Sequence, residues 1–233
     1  DAGQGICLLS TSGGNAGLTI TGGGILDVSG HYNGILVQSN TGDVKLTIQG
    51  EARVAAAATF SGDGVTVQSE TGRNADLTVD GASLAAAGAD SYGTGIRFQI
   101  GTGGTSNRAY GLFIKNSAII KASGTPDGIA SSNGWETTPN GDGIVSDNGL
   151  YKVFGTVTLR EDLIIGEGER LTVTGGSHLD TTNEYYVIVD GGMLHDPAIA
   201  DLGDRAKYAP TITTETESLP SGTVGESYTA TLE

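Results

Sequence analysis

Residue types that suit sugar binding recur at one position along this chain. A polar residue stands immediately before a recurring glycine, and an aromatic residue lies within four positions upstream of three of these glycines. The polar residues are Gln4, Asn33, Asp63, Thr94 and Asp127, and the aromatic residues are Tyr32, Phe60 and Tyr92, with Trp135 seven residues after Gly128. Aromatic rings pack against the CH groups of a sugar, while amides and carboxylates bind its hydroxyls. The pattern therefore predicts a glycan-binding stripe formed by Tyr32, Asn33, Asp63, Tyr92, Asp127 and Trp135.

Two other interpretations of these residues stay open. Asn-Gly and Asp-Gly are ordinary turn sequences, in which case the aromatic rings only cover a corner. Asp63, Asp127 and Asp142 are candidate Ca²⁺ ligands, because Ca²⁺ binds several oxygens and corner carbonyls would supplement the carboxylates. The chain has neither a D-x-D-x-D-G loop nor a G-G-x-G-x-D repeat. The sequence therefore favours a solvated acidic surface and predicts no cofactor, with Ca²⁺ as the alternative.

The corners belong to a repeat that returns at intervals of roughly 30 residues, a period typical of repeat arrays. The pattern G-I/V-x-Φ-x-S, where Φ is apolar, begins at Gly5, Gly34 and Gly64, with weaker copies at Gly95 and Gly128. The pattern L-T-I, or a variant of it, begins at Leu18, Leu46, Leu77 and Leu112. Like units that recur in this way stack on one another, because no single unit buries its apolar face alone.

Within each unit every second residue is apolar, which is the period of a strand with one buried face. Three such runs per unit predict an all-β fold, namely a right-handed single-stranded parallel β-helix with three strands per coil and about four to six coils. We predict one interior ladder of Leu18, Leu46, Leu77 and Leu112, and another of Ile35, Val65, Ile96 and Ile129. In the third unit, the alternation predicts that Ser83, Ala85 and Ala87 also face inward.

These patterns resemble, over roughly residues 5–180, those of right-handed parallel β-helix proteins from anaerobic and often gut-dwelling bacteria. The resemblance implies a carbohydrate-binding surface protein, on a scaffold that unrelated activities share. The β-helix is predicted over residues 1–208, with regular coils to about 134, an enlarged corner loop over 125–150 and irregular capping rungs over 151–208. Residues 209–233 contain L-P-x-G-x-V-G-x-x-Y, which is similar to the start of an immunoglobulin-like module. We interpret them as a linker or as the truncated start of such a module.

Paired catalytic groups are not evident in the sequence. Glycoside hydrolases need two carboxylates, and polysaccharide lyases on a pectate-lyase-like β-helix combine carboxylates with a basic residue. Arg53 and Arg97 are predicted on different faces, and Asp27 is predicted beside Arg53, Leu84 and Ile119. The sequence therefore favours a non-catalytic module that binds carbohydrate, mediates adhesion or acts as a rigid spacer. A lyase or hydrolase is the alternative.

Charge and composition narrow the range of partners. The net charge is −15, from 12 basic and 27 acidic residues, so a nucleic-acid partner is excluded for lack of clustered cations. No apolar run approaches the ~18 residues of a membrane-spanning helix, and the single Cys7 rules out an internal disulfide. Because the chain begins inside a predicted third strand, we expect a fragment of a longer protein. We expect a monomer on the bacterial surface or outside the cell, with a polysaccharide or host glycan as partner.

Overall fold

The structure is a computed structural model of an all-β protein. It describes residues 3–71, 74–101, 109–131, 138–180, 184–195, 198, 201–202 and 206–208. Trp135 and residues 209–233, for which a site and a module start were predicted, lie outside the described residues. Twenty-one strands lie within the described part of the chain, and they divide into two arrays.

The first array contains strands that pair with the equivalent strand of the next repeat. Its strands are β1 (Ile6–Ser10), β2 (Ala16–Gly22), β3 (Ile25–Gly30), β4 (Ile35–Ser39), β5 (Val44–Gly50), β6 (Arg53–Ala58), β7 (Val65–Ser69), β8 (Asn74–Asp80), β9 (Ser83–Ala87), β10 (Ile96–Ile100), β11 (Ala109–Ser123), β12 (Ile129–Ser131) and β13 (Asn140–Asp147). They form three parallel rows with the orders β1-β4-β7-β10-β12, β2-β5-β8-β11-β13 and β3-β6-β9-β11. The long strand β11 belongs to two rows, because its first half pairs with β8 and its second half with β9.

The pairing register confirms both predicted ladders. Leu18 pairs with Leu46, Leu46 with Leu77 and Leu77 with Leu112 in one row. Ile35, Val65, Ile96 and Ile129 follow one another in the same way in another row. Both ladders belong to one apolar core, in which Leu46, Leu77, Ile35 and Val65 are fully buried. Stacking side chains of similar shape in this way favours close packing of the interior.

The third unit departs from the prediction at one corner. Gln49 pairs with Asp80 before this corner, and Arg53 pairs with Ser83 after it. The corner therefore contains two residues, 81–82, where the preceding unit has three, 50–52. Losing one residue shifts the alternation by one position, since successive strand residues face opposite sides. Leu84 and Ala86 are therefore the buried residues, and the prediction of Ser83, Ala85 and Ala87 as inward is wrong.

The segment 125–150, predicted as an enlarged corner loop, instead contains β12 and β13. After β13 the chain reverses into β14 (Leu150–Phe154), which pairs antiparallel with β13. The turn consists of Asn148 and Gly149, whose φ angles are 47° and 81°. Asn-Gly is the preferred sequence where both central residues of a hairpin turn need positive φ. The sequence therefore carried a signal for this reversal that the prediction missed.

The second array has its own core. Its remaining strands are β15 (Thr156–Thr158), β16 (Leu163–Ile165), β17 (Arg170–Val173), β18 (His178–Asp180), β19 (Val187–Val189), β20 (Met193–Leu194) and β21 (Ala206–Tyr208). Three parallel rows again form, with the orders β14-β17-β20, β15-β18 and β16-β19-β21. Tyr151, Val157, Leu171 and Val187 are buried together in this core, separate from that of the first array. The region predicted as irregular capping rungs thus repeats the three-row pattern in the opposite chain direction.

Replacing Val65 with Asp tests the interior ladder. Val65 is fully buried between Ile35 and Ile96, so the new carboxylate has no partner and no water. We expect the free energy of unfolding to fall by several kcal/mol, a large part of the 5–15 kcal/mol typical of a domain. Gln68→Asp on the outward face of the same strand adds the same charge and should have a far smaller effect in urea unfolding. Equal losses for the two variants would contradict the register.

A second test concerns Asp76 on β8. Burial raises the pKa of its carboxyl above the ordinary value of 3.8; the Asp43 carboxylate raises it further, and Lys45 opposes the shift. The folded state therefore holds this proton more tightly than the unfolded state, so the stability it contributes is full at low pH and is lost as the pH rises through the native pKa. We expect Asp76→Asn to stabilise the protein at neutral pH. The gain should shrink as the pH falls through the raised native pKa and should be absent below about 4, where the carboxyl is protonated in both states. A gain that stays constant from neutral pH to this range would contradict the assignment.

Candidate functional site

Four aromatic residues lie at successive turns of one corner of the first array. This aromatic ledge consists of His31, Tyr32, Phe60 and Tyr92. The rings of His31 and Phe60 stack with centroids 4.5 Å apart and planes 5° apart, and Tyr32 meets His31 edge-on at 5.1 Å. Tyr32, Phe60 and Tyr92 are 39%, 62% and 83% exposed. The ledge is therefore an accessible aromatic surface, in which the rings of His31, Tyr32 and Phe60 contact one another.

Backbone bonds between successive corners bring these residues together. The Phe60 amide donates to the His31 carbonyl at 3.1 Å, and the Gly62 amide donates to the Tyr92 carbonyl at 3.3 Å. Gly62 has a φ of 119°, and a Cβ at this position would lie 2.0 Å from the Tyr32 carbonyl oxygen. Only glycine allows the corners to approach this closely. The spacing of the aromatic residues along the ledge is thus set by the stacking of the repeats.

The polar residues that precede the recurring glycines stack as predicted. The amides of Gly5, Gly34 and Gly64 donate to the carbonyls of Asn33, Asp63 and Thr94, respectively. Asn33 is half-buried, and its Oδ1 lies 3.0 Å from Thr66 Oγ1. The column is therefore continuous from Gln4 to Thr94, and part of its hydrogen-bonding capacity is used within the protein.

Asp63 is the residue whose position differs most from the prediction. It is only 7% exposed, and its Oδ2 accepts a hydrogen bond from Arg97 Nε at 2.7 Å. Its Oδ1 accepts the Thr94 amide at 2.9 Å, and Thr66 Oγ1 lies 3.1 Å from Oδ2. Arg97 also donates to Thr94 Oγ1 at 2.7 Å. Asp63 thus stabilises the corner from within, and its oxygens are not presented to a sugar.

The two other acidic candidates are exposed. Asp127 lies at the equivalent corner beside Gly128, and Asp142 accepts the Thr156 amide on its Oδ1 at 3.2 Å. Among the described residues, no group of three or more His, Cys, Asp or Glu side chains is arranged to hold a metal ion. Asp63 is also a poor Ca²⁺ ligand, because a guanidinium already neutralises it. The geometry therefore gives no support to the Ca²⁺ alternative at these carboxylates.

A groove on the outer face of β3, β6, β9 and β11 is a second candidate site, which the sequence did not indicate. Arg53 lies in it and pairs with Glu161 at 2.8 Å. Asp27 pairs in register with Ala55, while Arg53 pairs with Ile25, so the prediction of Arg53 beside Asp27 was wrong by two residues along the strand. The Arg53–Glu161 contact joins the two arrays, and no local pattern in the sequence indicates a contact over that separation.

Comparisons of the chain with protein-family models, curated proteins and solved structures found no match. Among the described residues, no helix has both the length and the apolar character needed to cross a bilayer.

Exchanging Asp63 for Ala tests its structural role. The change leaves Arg97 and the buried Thr94 amide without their acceptor, so we expect the free energy of unfolding to fall by about 3 kcal/mol. Asp127→Ala removes an exposed carboxylate from the equivalent corner and should change stability by less than about 0.5 kcal/mol. Urea unfolding of both variants measures the difference. A similar stability for the two variants would show that Asp63 does not support the corner.

Proposed function

We propose that this chain is a non-catalytic glycan-binding module of an extracellular or cell-surface bacterial protein, built on a right-handed single-stranded parallel β-helix. Support for the β-helix comes from the pairing of each strand with its equivalent one repeat later, in three rows. The right hand follows from the general handedness of parallel crossovers. The proposed surface location follows the sequence resemblance and the acidic composition.

The observation that carries the glycan-binding function is the exposure of the aromatic ledge. Phe60 and Tyr92 leave most of their surface in water, although burying such rings is normally favourable. Rings at successive corners are about 4.8 Å apart along the stacking direction, which is the spacing of hydrogen-bonded strands. A saccharide lying along this direction would meet ring faces, with Asp127 and the half-buried Asn33 amide as polar partners for its hydroxyls.

Because the corners repeat from coil to coil, the ledge is an extended surface and not a pocket. Each coil contributes a corner, so an elongated ligand gains contacts in proportion to its length. This arrangement suits a polymeric ligand that several weak contacts retain together. It offers no enclosed space from which water is excluded, as catalysis of glycosidic bond cleavage would need. We therefore favour adhesion or retention of a polysaccharide over its turnover.

Replacing the ring of Tyr92 by Ala tests this function. We expect polysaccharide binding to weaken by about 0.5–1.5 kcal/mol, which is roughly a twofold to twelvefold loss, with almost no change in melting temperature. Phe60→Ala should weaken binding similarly. Isothermal titration calorimetry against plant and host glycans, chosen by an array screen of the unmodified chain, gives the measurement.

Tyr208→Ala is the matched control, because Tyr208 is 63% exposed but lies on β21 in the second array. Binding by this variant should equal that of the unmodified chain. A lower melting temperature for Tyr92→Ala with unchanged binding would show that the ledge only covers a corner. An unmodified chain that binds no glycan in the array would show that the coils act as a rigid spacer. Cleavage of any polysaccharide by the unmodified chain would contradict the non-catalytic assignment.

A further inference from the structure

The outer-face groove has the dimensions of a binding site. Its larger part encloses about 440 Å³, and a contiguous smaller part encloses about 230 Å³. Ligand pockets in proteins span ~300–1,000 Å³. The floor is a line of residues that pair in register across four neighbouring strands, namely Ile25, Arg53, Ser83 and Ile119. Neighbouring strands are about 4.8 Å apart, so this line of four residues is about 14 Å long. The groove therefore suits an elongated ligand.

One wall comes from a distant part of the chain. Residues 159–162, between β15 and β16, place Arg160 and Glu161 over the outer face of the first array. Arg160 Nη1 donates to the Gly81 carbonyl at 3.1 Å, and Glu161 pairs with Arg53 at 2.8 Å. The Thr158 amide donates to Ser117 Oγ at 2.9 Å. Three separate contacts thus hold the wall in place, so the groove is preformed.

A strained backbone segment lines the same groove. Asn116 and Ser117 are consecutive non-glycine residues with φ angles of 51° and 59°, at a bulge where the register of β11 against β13 shifts. Such conformations cost about 1–3 kcal/mol each and concentrate at functional sites. Bulges likewise occur beside binding sites, where they redirect a side chain. Here the bulge presents Ser117 to the groove and to the wall segment.

The lining argues for a saccharide over a peptide. The floor strand β6 is paired on both sides, with β3 and β9, and β9 is paired with β6 and β11. Among the described pairings, β3 is the one floor strand with an open edge, and a peptide that joined this edge would run beside β3 and not across the groove floor. The lining instead offers apolar surface on Ile25, which is 80% exposed, together with hydroxyl, guanidinium and carboxylate groups. This mixture matches the CH groups and hydroxyls of sugar rings.

Charge further narrows the ligand class. The larger part of the groove contains two arginines and two glutamates, so its lining is neutral overall, and Arg53 and Glu161 already pair with each other. Lys121 adds one positive charge in the smaller part, where its Nζ lies 5.5 Å from the ring of Tyr151. The chain as a whole carries −15 and repels polyanions. A neutral saccharide is therefore favoured over an acidic one.

We propose that this groove binds a neutral linear oligosaccharide, at a site separate from the aromatic ledge. The inference extends the proposed glycan-binding function, but it depends on different residues. Ile25 packs on a sugar face, while Ser83, Glu51 and the Arg53–Glu161 pair bind hydroxyl groups. The groove lies at the start of β3, β6 and β9 and the ledge follows their ends, so a polysaccharide would have two points of attachment, which raises the overall affinity.

Blocking the groove with Ser83→Phe is the main test. Ser83 is an outward, half-buried floor residue, so a ring at this position fills the groove from below. Calorimetry and ligand-observed NMR would use neutral xylo-, manno-, cello- and malto-oligosaccharides, on the unmodified chain and on a Phe60→Ala/Tyr92→Ala ledge variant. When Ser83→Phe is added to the ledge variant, we expect the remaining oligosaccharide affinity to fall by at least tenfold. Ser29→Phe, which adds a ring to an exposed position of β3 outside the groove, should leave that binding unchanged.

Ile25→Ala keeps the test decisive if Ser83→Phe fails to fold, since Ile25 is exposed and its truncation spares the core. We expect a several-fold loss of groove binding from this variant. Retention of all binding by Ser83→Phe and Ile25→Ala would overturn the groove site and leave the ledge proposal intact. Loss of binding in the groove variants, with no loss in the ledge variant, would support the groove and contradict the ledge. A preference for oligogalacturonate that weakens with salt would overturn the neutral ligand class.

Discussion

Parallel hydrogen bonding between equivalent strands is the constraint on which the rest of this structure depends. Each strand of the first array satisfies its backbone groups against the same strand of the neighbouring repeats, so no repeat is stable in isolation. The register then stacks like residues, and the inward positions must alternate in phase along every row. Leucine and β-branched residues fill the interior for this reason. Corners and outer faces do not share this restriction, and both candidate sites lie there.

At the corners, residues that the fold requires lie directly beside residues that are exposed to solvent. Close approach of successive corners requires Gly62, and the pair between the buried Asp63 carboxylate and the half-buried Arg97 stabilises the turn. An ion pair of this kind contributes little net energy, but removing one partner leaves an uncompensated charge. The aromatic rings beside it are free of such a role, because they project into water. The proposed ligand contacts thus fall on residues that the fold does not need.

The chain reversal after β13 has a consequence for the outer face. Because β14 runs antiparallel to β13, the following rows form a second core, and the segment between β15 and β16 reaches the first array. There Arg160 and Glu161 contact Gly81 and Arg53 and make one wall of the groove. A continuous array without the reversal would present only a flat outer face. The groove therefore results from the meeting of two arrays.

The sequence by itself determined the strand period, the three-row repeat and the ladders through Leu46 and Val65, because these follow from alternation that recurs at a constant interval. It also identified Tyr32 and Tyr92 as corner residues, since they stand at a constant distance from a repeating glycine. Only the tertiary structure decided that Asp63 forms an ion pair with Arg97 and that Glu161 forms one with Arg53. It also decided that Leu84 faces inward, because the corner before it is one residue shorter. Such contacts depend on side-chain direction and on segments far apart in the chain. A periodic pattern describes what each repeat shares with the next, and it contains no information on where two different parts of the chain meet.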